Sequence, residues 1–102
     1  MLKHRDIYSG LIRLHILHHA SKEPIFGLWI IEELGEHGYR LSPGTVYPLL
    51  HSLEKKGYLK SREEKVGRSF RRKYAITSLG KKALSEAKGK VSELLEELNE
   101  EQ

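Results

Sequence analysis

The chain has 102 residues, a formal net charge of +4 and no cysteine. This length predicts one small domain with a modest core, so we expect further burial to come from a partner subunit. The lack of cysteine excludes a disulfide framework and a thiolate metal site, and the positive charge favours an anionic partner. There is neither a run of about 18 apolar residues nor a basic-then-apolar leader, so we expect a soluble, cytoplasmic protein without a membrane span.

The first predicted helix extends from about Arg5 to His19 and carries two apolar stripes. The first stripe consists of Ile7, Leu11, Leu14 and His18, and the second of Tyr8, Ile12, His15, Ile16 and His19. A helix with two apolar stripes needs two neighbours, and a short chain offers little to cover both. We therefore assign Tyr8 and Ile12, on the second stripe, to contacts with another subunit. The alternative is a helix fully buried within a monomer.

A second helix is predicted from Ile25 to His37, with Gly38 as its stop. Its buried face would carry Leu28, Ile31 and Leu34. The segment Gly38–Leu41 then forms a turn, which makes this helix the first one of a helix-turn-helix. Trp29 lies off the buried stripe and is expected to be a partly covered packing residue.

The third predicted helix lies within Leu41–Gly57, where the apolar positions Val46, Leu49, Leu50 and Leu53 form one stripe. Ser42 is placed to accept a hydrogen bond from a first-turn amide as the N-cap. Pro43 suits the first helical position, and Gly57 suits the C-terminal stop. Pro48 predicts a bend or a loosened first turn, but no break.

The outer face of this third helix is polar, and it carries Thr45, Tyr47, Pro48, His51, Ser52 and Lys55. A recognition helix meets DNA in this way, with its N-terminal end and small polar side chains turned to an anion-rich groove. The alternative is an ordinary amphipathic helix with a solvated outer face.

Two strands, Tyr58–Lys65 and Phe70–Ile76, are predicted to form a hairpin around a short turn that contains Gly67. Arg68 would lie at the tip of this hairpin. The region is strongly basic, with Lys60, Arg62, Lys65, Arg68, Arg71, Arg72 and Lys73. Beside a recognition helix, such a tip can reach a phosphate or the adjacent minor groove. The alternative is a solvated basic hairpin.

The last predicted helix begins after Thr77, its N-cap, and runs to about Asn99. Its apolar residues follow the spacing of a coiled-coil seam: Leu84, Ala87, Val91, Leu94, Leu95 and Leu98. Five glutamates, of which Glu101 is the last, keep this region away from DNA. We therefore divide one compact unit into a DNA-binding part, residues 1–80, and a C-terminal dimerisation helix, residues 81–102, which packs with the first helix of the partner.

Two parts of the sequence resemble PadR-family transcriptional regulators. The recognition helix of that family is resembled by Ser42–Leu50 followed by Leu53–Leu59, and its wing-to-helix segment by Arg71–Gly80. The resemblance extends from about Ile7 to the C-terminal helix. It implies a mainly α, α+β winged helix-turn-helix that forms a homodimer and usually represses transcription. It also implies that a small aromatic or lipophilic effector binds between the subunits. Tyr8, Trp29 and the last helix are our candidate walls for that ligand, although the family often has a polar residue at the position of Trp29.

The predicted function is therefore sequence-specific binding of double-stranded operator DNA by a homodimeric repressor, with recognition helices about 10 bp apart. The residues expected at the groove are Ser42, Pro43, Gly44, Thr45, Tyr47 and His51, and those expected at phosphates are Lys55, Arg68, Arg71 and Lys73. Arg72 is left open, because its strand face can point inward. The alternatives are a winged-helix module that binds a protein partner and a non-specific DNA-binding protein.

Other chemistry finds little support in the sequence. His15, His18 and His19 have a helical spacing that could place two imidazoles on one metal ion. A competent site needs three or four ligands, and neither a cysteine nor a nearby carboxylate pair completes this one, so we predict no metal and no cofactor. The chain has no phosphate-cradling glycine loop and no nucleophile motif, so we predict that it is not an enzyme.

Overall fold

The computed structural model describes residues 4–100, in which four helices pack around a small antiparallel sheet. The helices are α1 (Arg5–Lys22), α2 (Gly27–Glu36), α3 (Pro43–Lys55) and α4 (Ser78–Glu100), and the strands are β1 (Ile25–Phe26), β2 (Leu59–Val66) and β3 (Ser69–Ile76). The predicted α+β winged helix-turn-helix is thereby confirmed. Glu101, part of the predicted acidic tail, lies outside the described residues.

The sheet has one strand more than the predicted hairpin, and its order is β1-β3-β2. Ile25 pairs with Tyr74 on the edge of β3, so the prediction that Ile25 begins the second helix is wrong. Glu23, which precedes Pro24, is extended with φ −164° and ψ 159°, as the residue before a proline prefers. The chain therefore enters this segment as a strand, and it supplies the unpaired edge of β3 with a partner.

The core lies between the first three helices and the base of the sheet. Its most deeply buried side chains are Ile12, Ile16, Ile30, Leu34, Val46, Leu50, Leu59 and Tyr74. The buried face of α2 differs from the prediction, since Ile30 is fully buried whereas Leu28 is 46% exposed. The reason is that α2 begins at Gly27, and the face that meets the core carries Gly27, Ile30 and Leu34.

The second stripe of α1 is the one that faces the core of its own chain. Ile12 is only 1% exposed, so it has almost no surface to offer another subunit, and its assignment to the dimer interface is wrong. Tyr8 is half-buried and meets the ring of Tyr39 edge-on, with ring centroids 5.9 Å apart. The stripe left outside is the first one, where Ile7 is 70% and Leu11 is 43% exposed.

A glycine follows each of the two helices of the helix-turn-helix. Gly38 follows α2 with φ +88°, and Gly57 follows α3 with φ +90°. In each case the amides of the glycine and of the residue after it donate to carbonyls in the last turn of the helix. At the end of α3, Gly57 N donates to Glu54 O and Tyr58 N donates to Leu53 O, both at 2.9 Å. This is the Schellman arrangement, which satisfies carbonyls that the helix end would otherwise leave open. The predicted stop at Gly57 is confirmed.

The helix α4 is capped as predicted, because the amide of Gly80 donates to the Thr77 hydroxyl at 3.0 Å. Its first turn packs closely on the base of the sheet, where a methyl group on Gly80 would lie 2.2 Å from the carbonyl oxygen of Tyr58. The rest of the helix extends away from the core, and Leu94, Leu95 and Leu98 are 55–56% exposed. None of the helices among residues 4–100 is long and apolar enough to cross a membrane.

Candidate nucleic-acid interface

The N-terminal end of α3 is open to solvent. Ser42, Pro43 and Gly44 are exposed, and Thr45 is half-buried. Ser42 occupies the N-cap position, but its hydroxyl lies 3.4 Å from the Thr45 hydroxyl and caps no amide, which differs from the prediction. Pro43 has no amide N–H, and the amides of Thr45 and Val46 both donate to the Ser42 carbonyl at 3.0 Å, so the amide of Gly44 is the one left to meet an anion. His51 and Lys55 continue the exposed face along a helix that Pro48 does not break.

Tyr47 departs from the predicted outward position. Its ring lies against Gly27 at the start of α2, so close that a methyl group on Gly27 would be 2.4 Å from Cε1 and 2.7 Å from the hydroxyl oxygen. The side chain is half-buried against the core. We therefore correct the role of Tyr47 from a free groove contact to a residue that holds the two helices of the helix-turn-helix together.

The hairpin places its basic tip in solvent. β2 and β3 pair from Leu59–Ile76 to Val66–Ser69, and the two-residue loop between them contains Gly67, with φ +62°, and Arg68. Arg68 and Arg71 are both exposed, as predicted. Arg72, which the sequence left open, is also exposed, and it lies on the same face of the sheet as Ser61, to whose hydroxyl its Nη1 donates at 3.2 Å.

A carboxylate of α3 fastens the hairpin to that helix. Glu54 Oε2 accepts a hydrogen bond from the amide of Ser61 at 2.9 Å, and the Ser61 hydroxyl donates to the same carboxylate at 2.7 Å. Burial, aided by the charge of Glu54, raises the pKa of the neighbouring Tyr74 phenol. Because Arg72 donates to Ser61 in turn, the network extends from α3 into the wing.

Lys73 is not the free base that was predicted to contact a phosphate. Its Nζ lies 3.4 Å from Glu64 Oε2 and 5.1 Å from the centre of the Phe26 ring. The side chain is only 28% exposed, so its charge is directed to β1 and is balanced within the chain. The phosphate-contacting role of Lys73 is therefore corrected.

A groove of about 500 Å³ runs between α1 and α4. It is lined by Leu11, Leu14, His15, His18, Leu84, Lys88, Val91, Ser92 and Leu95. Three of the predicted dimerisation residues, Leu84, Val91 and Leu95, thus meet the outer stripe of α1 here. The structure does not bring the two ligand candidates to this groove: Tyr8 packs on Tyr39, and Trp29 lies edge-on to His19 with ring centroids 5.3 Å apart.

Histidines gather where α1 faces the end of α2. One ring nitrogen from each of His15, His19 and His37 lies within 4.8 Å of the other two. Glu33 lies beside His19 and His37. Burial, together with the charges of His37, His19 and His18, lowers the pKa of His15. Sequence reasoning missed His37 and Glu33, although their i, i+4 spacing on α2 repeats that of His15 and His19 on α1.

A helix-turn-helix followed by a β-hairpin that lies against its second helix defines a winged-helix protein. The sequence model of the "Transcriptional regulator PadR-like family" matches residues 16–86. Transcriptional regulator Rv3488 of Mycobacterium tuberculosis is 45% identical over 94 residues, which span 92% of this chain and 88% of that protein. The chain belongs to the PadR-like family of transcriptional regulators, and these proteins are not enzymes. The predicted family and the prediction that the chain is not an enzyme are both confirmed.

Solved structures of the same family have the same fold. A PadR-like transcription factor from Bacteroides fragilis superposes with a TM-score of 0.83 at 28% identity, over 95% of each chain. A PadR-like transcriptional regulator (BC4206) from Bacillus cereus superposes with a TM-score of 0.84 at 26% identity, over 93% of this chain and 94% of the other. Regulators of this family bind DNA and commonly dimerise.

Proposed function

We propose that this chain is a sequence-specific DNA-binding repressor that acts as a homodimer. The observation that carries the proposal is that two exposed surfaces, the N-terminal end of α3 and the basic tip of the hairpin, belong to elements that the Glu54–Ser61 bonds join. The helix enters the major groove with Ser42, Thr45 and His51 near base edges. The wing places Arg68, Arg71 and Arg72 near phosphates, with Lys55 at the far end of the helix.

The dimer is proposed to form through the apolar surface that a single chain leaves open. α4 has exposed leucines along its second half, and the outer stripe of α1 exposes Ile7 and Leu11. A soluble protein rarely leaves so much apolar side chain uncovered on adjoining helices. A second copy offers the same two helices and covers them symmetrically, which also sets the distance between the two copies of α3.

An effector would act at this same seam between subunits. The groove between α1 and α4 is apolar and about 500 Å³ in volume, a size typical of small-molecule pockets. An aromatic or lipophilic compound there shifts DNA affinity only if it binds the two subunit arrangements differently. Loss of the DNA complex on titration with the aromatic probe anilinonaphthalene sulfonate, and its retention in a variant with Ser92→Glu, an exposed position that lines the groove, would support this part of the proposal.

The DNA-binding proposal is tested by fluorescence anisotropy with a duplex from upstream of the protein's own gene and a scrambled duplex, at several salt concentrations. Specific binding predicts tight, salt-sensitive association with the upstream duplex alone. Arg68→Ala should weaken binding to every sequence and reduce the salt slope by about one unit per bound protomer. Lys90→Ala removes the same charge from α4 and is the matched control.

Other outcomes of this experiment contradict the proposal in different ways. Equal binding to both duplexes indicates a non-specific DNA-binding protein, provided that other upstream regions behave alike. No binding to either duplex at low salt favours the protein-interaction module. An unchanged salt slope in the Arg68→Ala protein removes Arg68 from the phosphate contacts. Transcription from the upstream region in vitro, with and without the protein, then distinguishes a repressor from an activator.

A further inference from the structure

Two helices bring three imidazoles together, with a carboxylate beside two of them. His15 and His19 lie one turn apart on α1, and Glu33 and His37 lie one turn apart at the end of α2. One nitrogen from each histidine lies within 4.8 Å of the other two. Glu33 Oε2 lies 3.1 Å from His37 Nε2 and 3.6 Å from His19 Nε2.

The two Glu33 distances, but not yet those between the histidine nitrogens, are those of a small coordination sphere. In a tetrahedral site with bonds of about 2.0–2.1 Å, neighbouring ligand atoms are about 3.3 Å apart. The two distances from Glu33 already lie on either side of this value. The histidine nitrogens lie within 4.8 Å of one another and have to approach by up to about 1.5 Å to bind one ion.

Partial burial favours an ion at this position. The side chains of His19 and Glu33 are 19% and 21% exposed, while that of His37 is 47% exposed and leaves a route from solvent. Aromatic rings restrain the imidazoles, with Trp29 edge-on to His19 and Tyr39 edge-on to His15. An ion pair between Glu33 and one protonated histidine explains a single contact, but it does not explain why three imidazoles converge.

We propose that His15, His19 and His37 form a binding site for a divalent transition-metal ion of the zinc class, and that the adjacent Glu33 carboxylate moves in as the fourth ligand. Three imidazole nitrogens and one carboxylate oxygen are a ligand set that suits Zn²⁺, and imidazoles also bind Ni²⁺ and Cu²⁺. The bound ion ties α1 to the end of α2, directly before the turn at Gly38 that leads to α3. His18 and His51 take no part in the site.

The test uses the full chain, freed of metal with a chelator and then dialysed. Titration with Co²⁺ reports geometry through its visible absorption, which is far more intense for four-coordinate than for six-coordinate ions. Titration with Zn²⁺ in a calorimeter reports affinity and stoichiometry. We expect one ion per protomer, a four-coordinate Co²⁺ spectrum that Zn²⁺ abolishes, and a thermal midpoint several degrees higher with saturating Zn²⁺.

Variants identify the ligands. His37→Gln should weaken Zn²⁺ binding by about 100-fold and Glu33→Gln by about 10-fold or more. His37 is an exposed residue at a helix end, so its variant is expected to fold, which far-UV circular dichroism checks. The matched controls are His18→Gln, on α1 next to a proposed ligand, and His4→Asn, at an exposed N-cap. Both should bind Zn²⁺ within about twofold of the parent chain.

The site is disproved by any of three results: no saturable Zn²⁺ binding by the parent chain, a six-coordinate Co²⁺ spectrum, or equal affinity in the His37→Gln and parent proteins. A loss in the His18→Gln protein as large as that in the His37→Gln protein would also overturn it, because it would place His18 among the ligands. All of these readouts are independent of DNA, so they stand whether or not the proposed function holds.

Discussion

Glu54→Ala should loosen the wing and destabilise the whole chain. The substitution removes the acceptor of two hydrogen bonds from Ser61, one from its amide at 2.9 Å and one from its hydroxyl at 2.7 Å. Hydrogen bonds to a charged group contribute about 1.5–3 kcal/mol each when buried. Both residues are half-buried, and water replaces part of what is lost, so we expect a total of about 2 kcal/mol.

The assay is urea unfolding monitored by circular dichroism, at a fixed protein concentration because dimer formation contributes to the measured stability. A loss of about 2 kcal/mol is about a 30-fold change in the unfolding equilibrium. Glu63→Ala is the matched control, since Glu63 is an exposed carboxylate on β2. If the Glu54→Ala protein unfolds within about 0.5 kcal/mol of the Glu63→Ala protein, the carboxylate does not fasten the wing.

Three further predictions concern other parts of the structure. Gly80→Ala should destabilise by about 2 kcal/mol, because its methyl group meets the carbonyl of Tyr58 at 2.2 Å, whereas Gly89→Ala, with open space around it, should stabilise by up to about 1 kcal/mol in urea unfolding. Leu95→Glu should convert a dimer to monomers in sedimentation equilibrium; an unchanged mass would remove α4 from the interface. The pKa of His15 is lowered in the folded chain, so its contribution to stability is complete above about pH 6.5 and is lost as the pH falls through the folded pKa. In the absence of metal, the unfolding free energy of the His15→Gln protein should therefore depend less steeply on pH than that of the parent chain. Equal slopes would contradict this.

The features that were predicted correctly from the sequence are marked either by a periodic spacing of apolar residues or by a residue type that begins or ends a helix. The buried stripe of α3, the stop at Gly57 and the cap at Thr77 are local patterns, and each occurs where it was predicted. The winged-helix order followed from these elements and from the resemblance to PadR regulators. Exposure of Arg68 at a hairpin tip follows from the turn alone, since a two-residue loop leaves its side chains in solvent.

The features that it missed depend on residues far apart in the chain. A strand of two residues, β1, has no detectable period, and it forms only because β3 offers an open edge. Lys73 is equivalent to Arg71 in sequence pattern, but Glu64 and the Phe26 ring neutralise and cover it. Ile12 lies on an apolar stripe like that of Ile7, and only the packing of α1 decides which of the two stripes faces the core.

Two polar clusters lie where the helix-turn-helix joins its neighbours, and this placement is informative. Glu54 and Ser61 connect the end of α3 to the wing, and the histidine cluster connects the end of α2 to α1. The apolar core fixes how the three helices pack, whereas these two clusters lie next to the elements that are proposed to meet DNA. Because imidazoles respond to protons and metal ions and a core of isoleucine and leucine does not, the histidine cluster is the part of this scaffold best suited to transmit a chemical signal.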